Sequence, residues 1–191
     1  MKQKMLERIQ EIFQESIAVK QQALADNLDK IQQAVEIIGN VLKGGNKIIV
    51  FGNGGSAADS QHIAAEFIGR FQKERQALPA IALSTDTSIL TALANDYGFD
   101  IVFSRQIEGL GEPGDVALGI STSGNSRNVV SGIQTAKAKG LKTIVLTGQG
   151  GGNLLKVADL CMSVPSKVTA RIQESHITIA HVICELIEEQ F

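Results

Sequence analysis

The sequence predicts an α/β fold: a three-layer α/β/α sandwich with a five-stranded parallel sheet, preceded by an N-terminal pair of helices. From residue 46 onwards, short β-branched runs alternate with longer segments of helical periodicity. Strand candidates such as KIIVF and TIVL are apolar throughout, which is typical of parallel strands covered on both faces. The length of 191 residues, without a linker or an internal repeat, suits one domain over residues 1–191.

The first predicted element is the helical pair, within residues 1–45. This segment contains no proline and has two apolar stripes at helical spacing. Asp26 or Asn27 would cap the second helix, and Gly44 and Gly45 would end it. The helices either cover only the chain's own sheet or also pack against another copy of the chain. The stripes are Met5, Ile9, Ile12, Phe13 and Ile17, then Leu28, Ile31, Val35, Ile38 and Leu42.

The α/β core, residues 46–191, opens with a strand, a tight turn and a helix. Lys47–Phe51 is the predicted strand, and the glycines at 52, 54 and 55 interrupt it. Ser56 occupies the position of a helix N-cap. Apolar side chains then recur at helical spacing: Ile63, Phe67 and Phe71.

The same alternation predicts four more strands and four more main helices. Residues 95–98 should break the first of these helices, and a short helix is also expected after the glycines at 148–152. The strands are residues 80–83, 116–120, 143–146 and 160–164, and the helices are residues 88–94, 101–110, 127–139 and 166–191. Because ligands of open α/β sheets bind beyond the carboxyl ends of strands, the candidate binding loops are residues 52–56 and 121–126.

Both loops have features of an anion site. Residues 52–57 match G-x-G-x-x-A and place bare backbone N–H groups at the positive end of a helix dipole. The acidic residue that a nicotinamide site needs is missing, since Asp86 lies too far along the chain. The second loop is Ser121-Thr122-Ser123-Gly124-Asn125-Ser126, whose four hydroxyls could bind a phosphate. A structural turn and a polar capping loop are the alternatives, but two such loops at one edge favour phosphate.

Three residues are candidates for metal or acid–base chemistry. His62 and Glu66 are four residues apart on the predicted helix, so both project from one face. A solvated helix face is the alternative, which the neighbouring anion-type loop disfavours. His181 lies in an apolar helical stretch, where a histidine is more often a hydrogen-bonded core residue than a ligand.

The remaining features bound the class of protein. A formal net charge of −2 gives no electrostatic basis for binding nucleic acid. No apolar run is long enough to span a membrane, and the polar N-terminus lacks a signal-peptide apolar region. Cys161 and Cys184 lie in apolar segments without CxxC spacing, so we expect reduced core residues and a cytoplasmic protein.

Four segments together resemble the phosphoheptose isomerases of the sugar isomerase (SIS) superfamily. They are FGNGGSAADSQHIAAEFIGRF, TDTSILTALANDYGFDIVFSRQIEGLGEPGD, GISTSGNSRNVV and ARIQESHITIAHVICELIE. The resemblance covers nearly the whole chain, in order and with few gaps. It implies the SIS fold, a cytoplasmic homo-oligomer that is a tetramer, and one Zn²⁺ per subunit. It also implies conversion of sedoheptulose 7-phosphate to D-glycero-D-manno-heptose 7-phosphate, the first step towards the heptose of bacterial lipopolysaccharide.

The resemblance further implies roles for individual residues. The catalytic positions match Glu66 and His181. The zinc ligands match His62, Glu66, Gln173 and His181. The substrate-binding positions match Asn53, Gly54, Gly55, Ser56, Glu66, Arg70, Asn95, Asp96, Ser121, Thr122, Ser123, Ser126 and Gln173. Because Gln173 and His181 are eight residues apart, about 12 Å along a straight helix, they reach one metal only with converging side chains or with several subunits in one site.

The implied isomerisation passes through an enediol and needs a base, a proton donor to oxygen and positive charge near the enediolate. Zinc binding would weaken Glu66 as a base, so either its coordination loosens or His181 carries more of the proton transfer. The alternative function is a non-catalytic SIS-fold protein, either a phosphosugar-binding protein or one that associates with a replication initiator. Such relatives are expected to lack the acidic residue and the histidine found here at 66 and 181, which favours the enzyme.

Overall fold

The computed structural model describes residues 1–191 and has a five-stranded, all-parallel sheet at its centre. The strands are β1 (Ile48–Gly52), β2 (Ala80–Ala82), β3 (Val116–Ser121), β4 (Lys142–Thr147) and β5 (Leu160–Ser163). Their spatial order is β2-β1-β3-β4-β5. In the register, Ile48 pairs with both Ala80 and Val116, and Val116 pairs with Lys142. The chain therefore moves outward from β1 to β2 and then crosses to β3, which puts the topological switch point between β1 and β3.

Seven α-helices connect and cover these strands. They are α1 (Lys2–Lys43), α2 (Gly55–Ile68), α3 (Thr87–Tyr97), α4 (Val102–Leu110), α5 (Arg127–Ala138), α6 (Leu154–Val157) and α7 (Thr169–Glu188). A 3-10 turn, Phe99–Ile101, joins α3 to α4. The predicted three-layer sandwich and its five strands are confirmed. None of the helices combines the length and apolarity needed to cross a membrane.

Alternation of side chains along the strands builds two cores. Ile48 and Val50 of β1 belong to a 22-residue cluster with side chains of α1, α2 and α7. Ile49 and Phe51 belong to a 14-residue cluster on the other face, with side chains of α4, α5 and α6. Because both faces are covered, every residue of β1 and β3 is buried. Cys161 and Cys184 are free and buried, as expected.

The predicted N-terminal helical pair is wrong, since residues 2–43 form one continuous helix. Asn27 does not cap a second helix but lies inside the first, where it is almost fully buried. Its amide donates to the carbonyls of Ala23 and Ser163 and accepts from the N–H of Ser163. The side chain therefore attaches the middle of α1 to β5 without interrupting the helix. The N-terminal stripe stays exposed on the half of α1 that precedes this attachment.

Several predicted boundaries also need correction. Ser56 is not the N-cap of α2, because Gly54 takes that position and Ser56 is buried in the first turn. Phe71 lies beyond α2, which ends at Ile68. Residues 95–97 do not break α3 but form its last turn, and Gly98 ends it. The last helix is shorter than predicted and spans Thr169–Glu188.

Candidate functional site

The two candidate loops are neighbours at the carboxyl edge of the sheet. β1 and β3 pair in register from Ile48–Val116 to Gly52–Ile120, so the segments that follow them emerge side by side. We call residues 52–56 the first loop and residues 121–126 the hydroxyl loop. They flank the switch point of the sheet, which is where ligands of open α/β sheets bind.

The hydroxyl loop is held in shape mainly by its own side chains. The Oγ atoms of Ser121 and Ser126 are 2.9 Å apart, and those of Ser121 and Ser123 are 3.4 Å apart. The backbone N–H of Asn125 donates to Ser123 Oγ at 3.1 Å. Ser126 is the N-terminal cap position of α5, where backbone N–H groups lack intrahelical partners. Hydroxyls and helical N–H groups therefore converge on one small region, as an anion site requires.

The first loop contacts α5 on one side and α7 on the other. The side-chain amides of Asn53 and Asn128 exchange two hydrogen bonds of 2.9 Å each, which join this loop to the start of α5. Gly54 has φ of 57°, a conformation that favours glycine. A Cβ atom on Gly55 would overlap the side-chain amide of Gln173. Gln173 thus reaches from α7 to the first loop, and Gly55 is needed for this close approach.

His62, Glu66 and His181 come together although they lie on two helices far apart in sequence. One potential ligand atom from each lies within 4.8 Å of the others. His62 Nε2 is 3.0 Å from Glu66 Oε1, and the rings of His62 and His181 meet edge-on with centroids 5.0 Å apart. The prediction that His62 and Glu66 share one helix face is confirmed. We call these three residues the His–Glu–His cluster.

The surroundings of this cluster leave polar atoms unsatisfied. His181 Nε2 is buried and has no hydrogen-bond partner, and the same is true of Asp59 Oδ2. Asp59 lies one turn before His62 on α2. Burial raises the pKa of the Asp59 carboxyl, while the nearby His62 and His181 act in the opposite direction. A buried imidazole nitrogen without a partner, beside a carboxylate and a second imidazole, is the donor set that a divalent cation such as zinc requires.

Arg70, Asn95 and Asp96 form no hydrogen bond or ion pair with either loop or with the cluster. Arg70 follows the end of α2 and pairs with Glu74 at 2.8 Å. Asn95 and Asp96 are exposed and bond to each other at 2.8 Å. They belong to α3, which has no buried residue. Within one chain, these three predicted substrate residues therefore make no polar contact with the rest of the site.

Sequence reasoning missed Asp59, Asn128 and Phe71. Asp59, His62 and Glu66 have i, i+3, i+7 spacing, so helical periodicity could have placed Asp59 on the same face. Asn128 carried no such signal, because its partner Asn53 lies on another loop. Phe71 was interpreted as part of a helix, whereas its ring lies 5.4 Å from that of His181.

Together these features suit the binding of an anion at one end, and acid–base chemistry or the binding of a metal ion at the other. The loops supply uncharged donors, and the cluster supplies a carboxylate with two imidazoles. Gln173 and His181 both lie on α7, so one helix runs from the first loop to the cluster.

Comparison with known proteins finds relatives from one family. The model of the SIS domain family matches residues 11–148. The phosphoheptose isomerase of Aquifex aeolicus is 57% identical over 185 residues, covering 97% of each chain. That of Thermodesulfovibrio yellowstonii is 50% identical over 183 residues, covering 96% of this chain and 91% of the relative.

Solved structures agree with this. A phosphoheptose isomerase from Neisseria gonorrhoeae superposes with a TM-score of 0.92 at 46% identity, covering 97% of this chain and 99% of the other. One from Francisella tularensis gives 0.93 at 37% identity, with coverages of 96% and 98%. The sugar isomerase domain of the transcription factor RpiR from Sphaerobacter thermophilus gives 0.62 at 20% identity, with coverages of 93% and 87%, and shares the fold alone.

Proposed function

Since this chain belongs to the SIS domain family and is an isomerase of the phosphoheptose isomerase group, we propose that it converts sedoheptulose 7-phosphate to D-glycero-D-manno-heptose 7-phosphate. The structural observation that supports this proposal, independently of the relatives, is the His–Glu–His cluster. It lies on the helices that border the first loop. A ketose phosphate needs both an anion site and acid–base groups within one molecule's length. The product would serve the synthesis of surface heptose.

The proposed cofactor is one Zn²⁺ per subunit, held by His62, Glu66 and His181 with Gln173 as the fourth ligand. Nitrogen and oxygen donors of this kind suit zinc. The buried, unpartnered Nε2 of His181 supports the assignment, because such an atom otherwise loses a hydrogen bond without compensation. That Gln173 is a ligand stays a prediction, since its amide lies beside Gly55. When bound, zinc would polarise the substrate carbonyl as a Lewis acid.

The proposed reaction moves a proton between adjacent carbons through an enediol. Glu66 is the base that removes the proton from carbon, and His181 is the group that exchanges a proton with oxygen. Half-burial of Glu66 supports this, because it keeps bulk water from the reacting carboxylate. If Glu66 is also a ligand, its basicity is reduced, and His181 carries more of the proton transfer.

The hydroxyl loop is the proposed phosphate site. Ser121, Thr122, Ser123 and Ser126 would donate to the phosphate, and the three serines would exchange their present hydrogen bonds with each other for charge-assisted ones. The first loop would bind the sugar through Asn53, Gly54, Gly55 and Ser56, with Gln173 beside it. Uncharged donors of this kind complement a phosphate with help from the dipole of α5.

We also propose that the working form is a homotetramer in the cytoplasm. Five apolar side chains of the N-terminal stripe are exposed on α1: Met5, Ile9, Ile12, Phe13 and Ile17. A helix of about 63 Å with an apolar face in solvent is stabilised by burying that face in another copy. Contacts between copies would also explain why Arg70, Asn95 and Asp96 make no polar contact with the site within one chain. Light scattering at micromolar concentration should give four times the chain mass, and a monomer would contradict the proposal.

The deciding experiment is incubation with sedoheptulose 7-phosphate before and after treatment with a chelator. We expect conversion by the untreated protein, loss after chelation, and recovery with Zn²⁺ but not with Mg²⁺. Conversion that survives complete metal removal would overturn the zinc proposal. If the metal-loaded protein fails to convert sedoheptulose 7-phosphate, the proposed substrate is wrong. A non-catalytic role gains no support from the relatives found.

A further inference from the structure

The segment between α2 and β2 borders the His–Glu–His cluster without any regular structure of its own. It leaves α2 at Gly69 and carries Arg70 and Phe71. Two backbone hydrogen bonds connect it to α2, from Gly69 to Ala65 and from Leu78 to Phe67. No backbone–backbone hydrogen bond holds residues 70–77, so side chains must fix their conformation.

Glu188, in the last turn of α7, supplies one of these side chains. Its carboxylate accepts three consecutive backbone N–H groups, from Phe71, Gln72 and Lys73, at 2.7 to 2.8 Å. Charge-assisted bonds of this kind are stronger than neutral ones. Although burial raises the pKa of the Glu188 carboxyl, these donors and Arg75 lower it overall, so the group accepts as a carboxylate.

Arg75 supplies the second side chain, which donates to backbone carbonyl groups. Its Nη1 donates to the carbonyls of Phe67, Gly69 and Gln76, and its Nη2 donates to that of Glu66 at 2.7 Å. The last carbonyls of a helix have no intrahelical partners, so Arg75 acts as a side-chain cap for α2. Its Nε lies 3.4 Å from Glu188 Oε1, and the two side chains are only 3% and 2% exposed.

The pair therefore connects the parts that carry the proposed catalytic groups. Glu66 is one of the residues whose carbonyl Arg75 holds. His181 lies two turns before Glu188 on α7, and its ring contacts that of Phe71, whose N–H Glu188 holds. Movement of this pair would displace Phe71 from His181 and would free the backbone that presents Arg70.

We propose that Arg75 and Glu188 are positioning residues that set the place of Phe71 against His181 and the conformation of the backbone that carries Arg70. The proposal rests on the proposed function for its kinetic consequences and on the geometry alone for its structural ones. Neither side chain touches a side chain of the cluster: Arg75 reaches only the backbone carbonyl of Glu66, and both residues act on the backbone of the segment that follows α2.

The first test compares E188Q with D115N by steady-state kinetics on sedoheptulose 7-phosphate. Gln keeps the shape of Glu188 but turns an NH₂ group towards backbone donors. Asp115 is the matched control, because it is also a buried carboxylate that accepts two backbone N–H groups and pairs with a cation, Lys47. It lies at the amino ends of the strands. We expect E188Q to lose about tenfold or more in kcat/KM through misplacement, and D115N to lose thermal stability with kinetics near those of the parent.

The second test separates positioning from general destabilisation. If Glu188 acts through Arg70 on substrate binding, then R70A should raise KM, and adding E188Q to R70A should raise KM little further. Independent effects that multiply would contradict this part of the proposal. R75K, which keeps the charge but loses the fork of donors, is the second variant and should resemble E188Q.

The third test needs no substrate. The chain has three histidines, so the ring signals of His181 can be assigned by NMR. F71L removes the aromatic ring beside His181 and gives the reference shift. We expect E188Q or R75K to move the His181 signal towards that of F71L, and D115N to leave it in place. An unmoved signal overturns the positioning proposal, whereas a parent protein inactive on the substrate but showing these shifts overturns only the proposed function.

Discussion

The His–Glu–His cluster and the hydroxyl loop are built in opposite ways. The cluster takes side chains from α2 and α7, which meet only through tertiary packing, and it leaves His181 Nε2 without a partner. The hydroxyl loop consists of six consecutive residues, and the hydroxyls of its three serines bond to one another. Under the proposed function, the cluster, with its unpartnered imidazole nitrogen, would carry out the reaction, and the loop, whose serine hydroxyls are already paired, would hold the phosphate. Changes to the cluster should therefore act on kcat, and changes to the loop on KM.

The largest expected effect is that of E66Q. Gln keeps the shape and an oxygen for a metal but cannot act as a base. We expect kcat to fall by at least ~100-fold, the low end of what a positioned general base contributes, with a much smaller change in KM. Stopped assays over a range of substrate concentrations, with zinc content measured on the same samples, provide the check.

The control for E66Q is E112Q, an exposed glutamate before β3 that should leave turnover unchanged. Near-normal turnover of zinc-loaded E66Q would contradict the assignment of the reaction to the cluster, because Glu66 would then not be an essential base. A fall in turnover that only follows zinc loss would make Glu66 a ligand and leave His181 as the base. In the latter case H181Q alone should produce the large fall in kcat.

G55A probes the contact between the two regions. Gly55 lies in a helix with ordinary backbone dihedrals, so alanine is tolerated by the backbone. Its Cβ would overlap the amide of Gln173 and displace it. If Gln173 is a zinc ligand, we expect zinc affinity to fall by about 10–100-fold, as for other changes that misplace ligands. Competition with a coloured chelator measures this, and unchanged affinity with a raised KM would assign Gln173 to the substrate only.

T122A should affect binding but not the chemical step. The contacts of a phosphate persist from the bound substrate to the transition state, so their loss raises KM with kcat nearly unchanged. We expect about a tenfold rise, the value of one lost charge-assisted hydrogen bond. T135A, a half-buried threonine on α5, is the control. An unchanged KM for the phosphorylated sugar would show that the phosphate binds elsewhere.

The sequence predicted those features that depend on residues close together in the chain. The strands, the helix face shared by His62 and Glu66, and both loops followed from periodicity and composition. The continuous α1 did not, because Asn27 caps nothing and instead bonds to β5, a partner far along the chain. Phe71 continued the helical stripe in the sequence, yet α2 ends before it and its backbone N–H donates to Glu188 instead. The place of His181 came from resemblance, since no local pattern brings α7 to α2.

The smallest effect on turnover should come from H176Q, which sharpens the contrast between two histidines on one helix. His176 Nε2 lies 2.9 Å from the carbonyl of Thr147, and its ring is almost fully buried. Burial lowers the pKa of His176 to about 4, against the bond to Thr147, which raises it. His176 is therefore neutral in the folded protein and outside the proposed chemistry, so we expect kcat and KM to change less than about threefold.

The consequence of this burial is a pH dependence of stability. The unfolded chain protonates His176 below about pH 6.5 and the folded chain only below about 4, so the free energy of unfolding falls as pH falls between these values. The loss amounts to about 3 kcal/mol at most. The carboxyls of Asp115, Asp159 and Glu188, whose pKa values are lowered, lose their contributions at more acidic pH. Urea titrations of parent and H176Q from pH 7 to 4.5 should show a flatter profile for the variant. Parallel profiles would mean that His176 binds protons equally in the folded and unfolded chains.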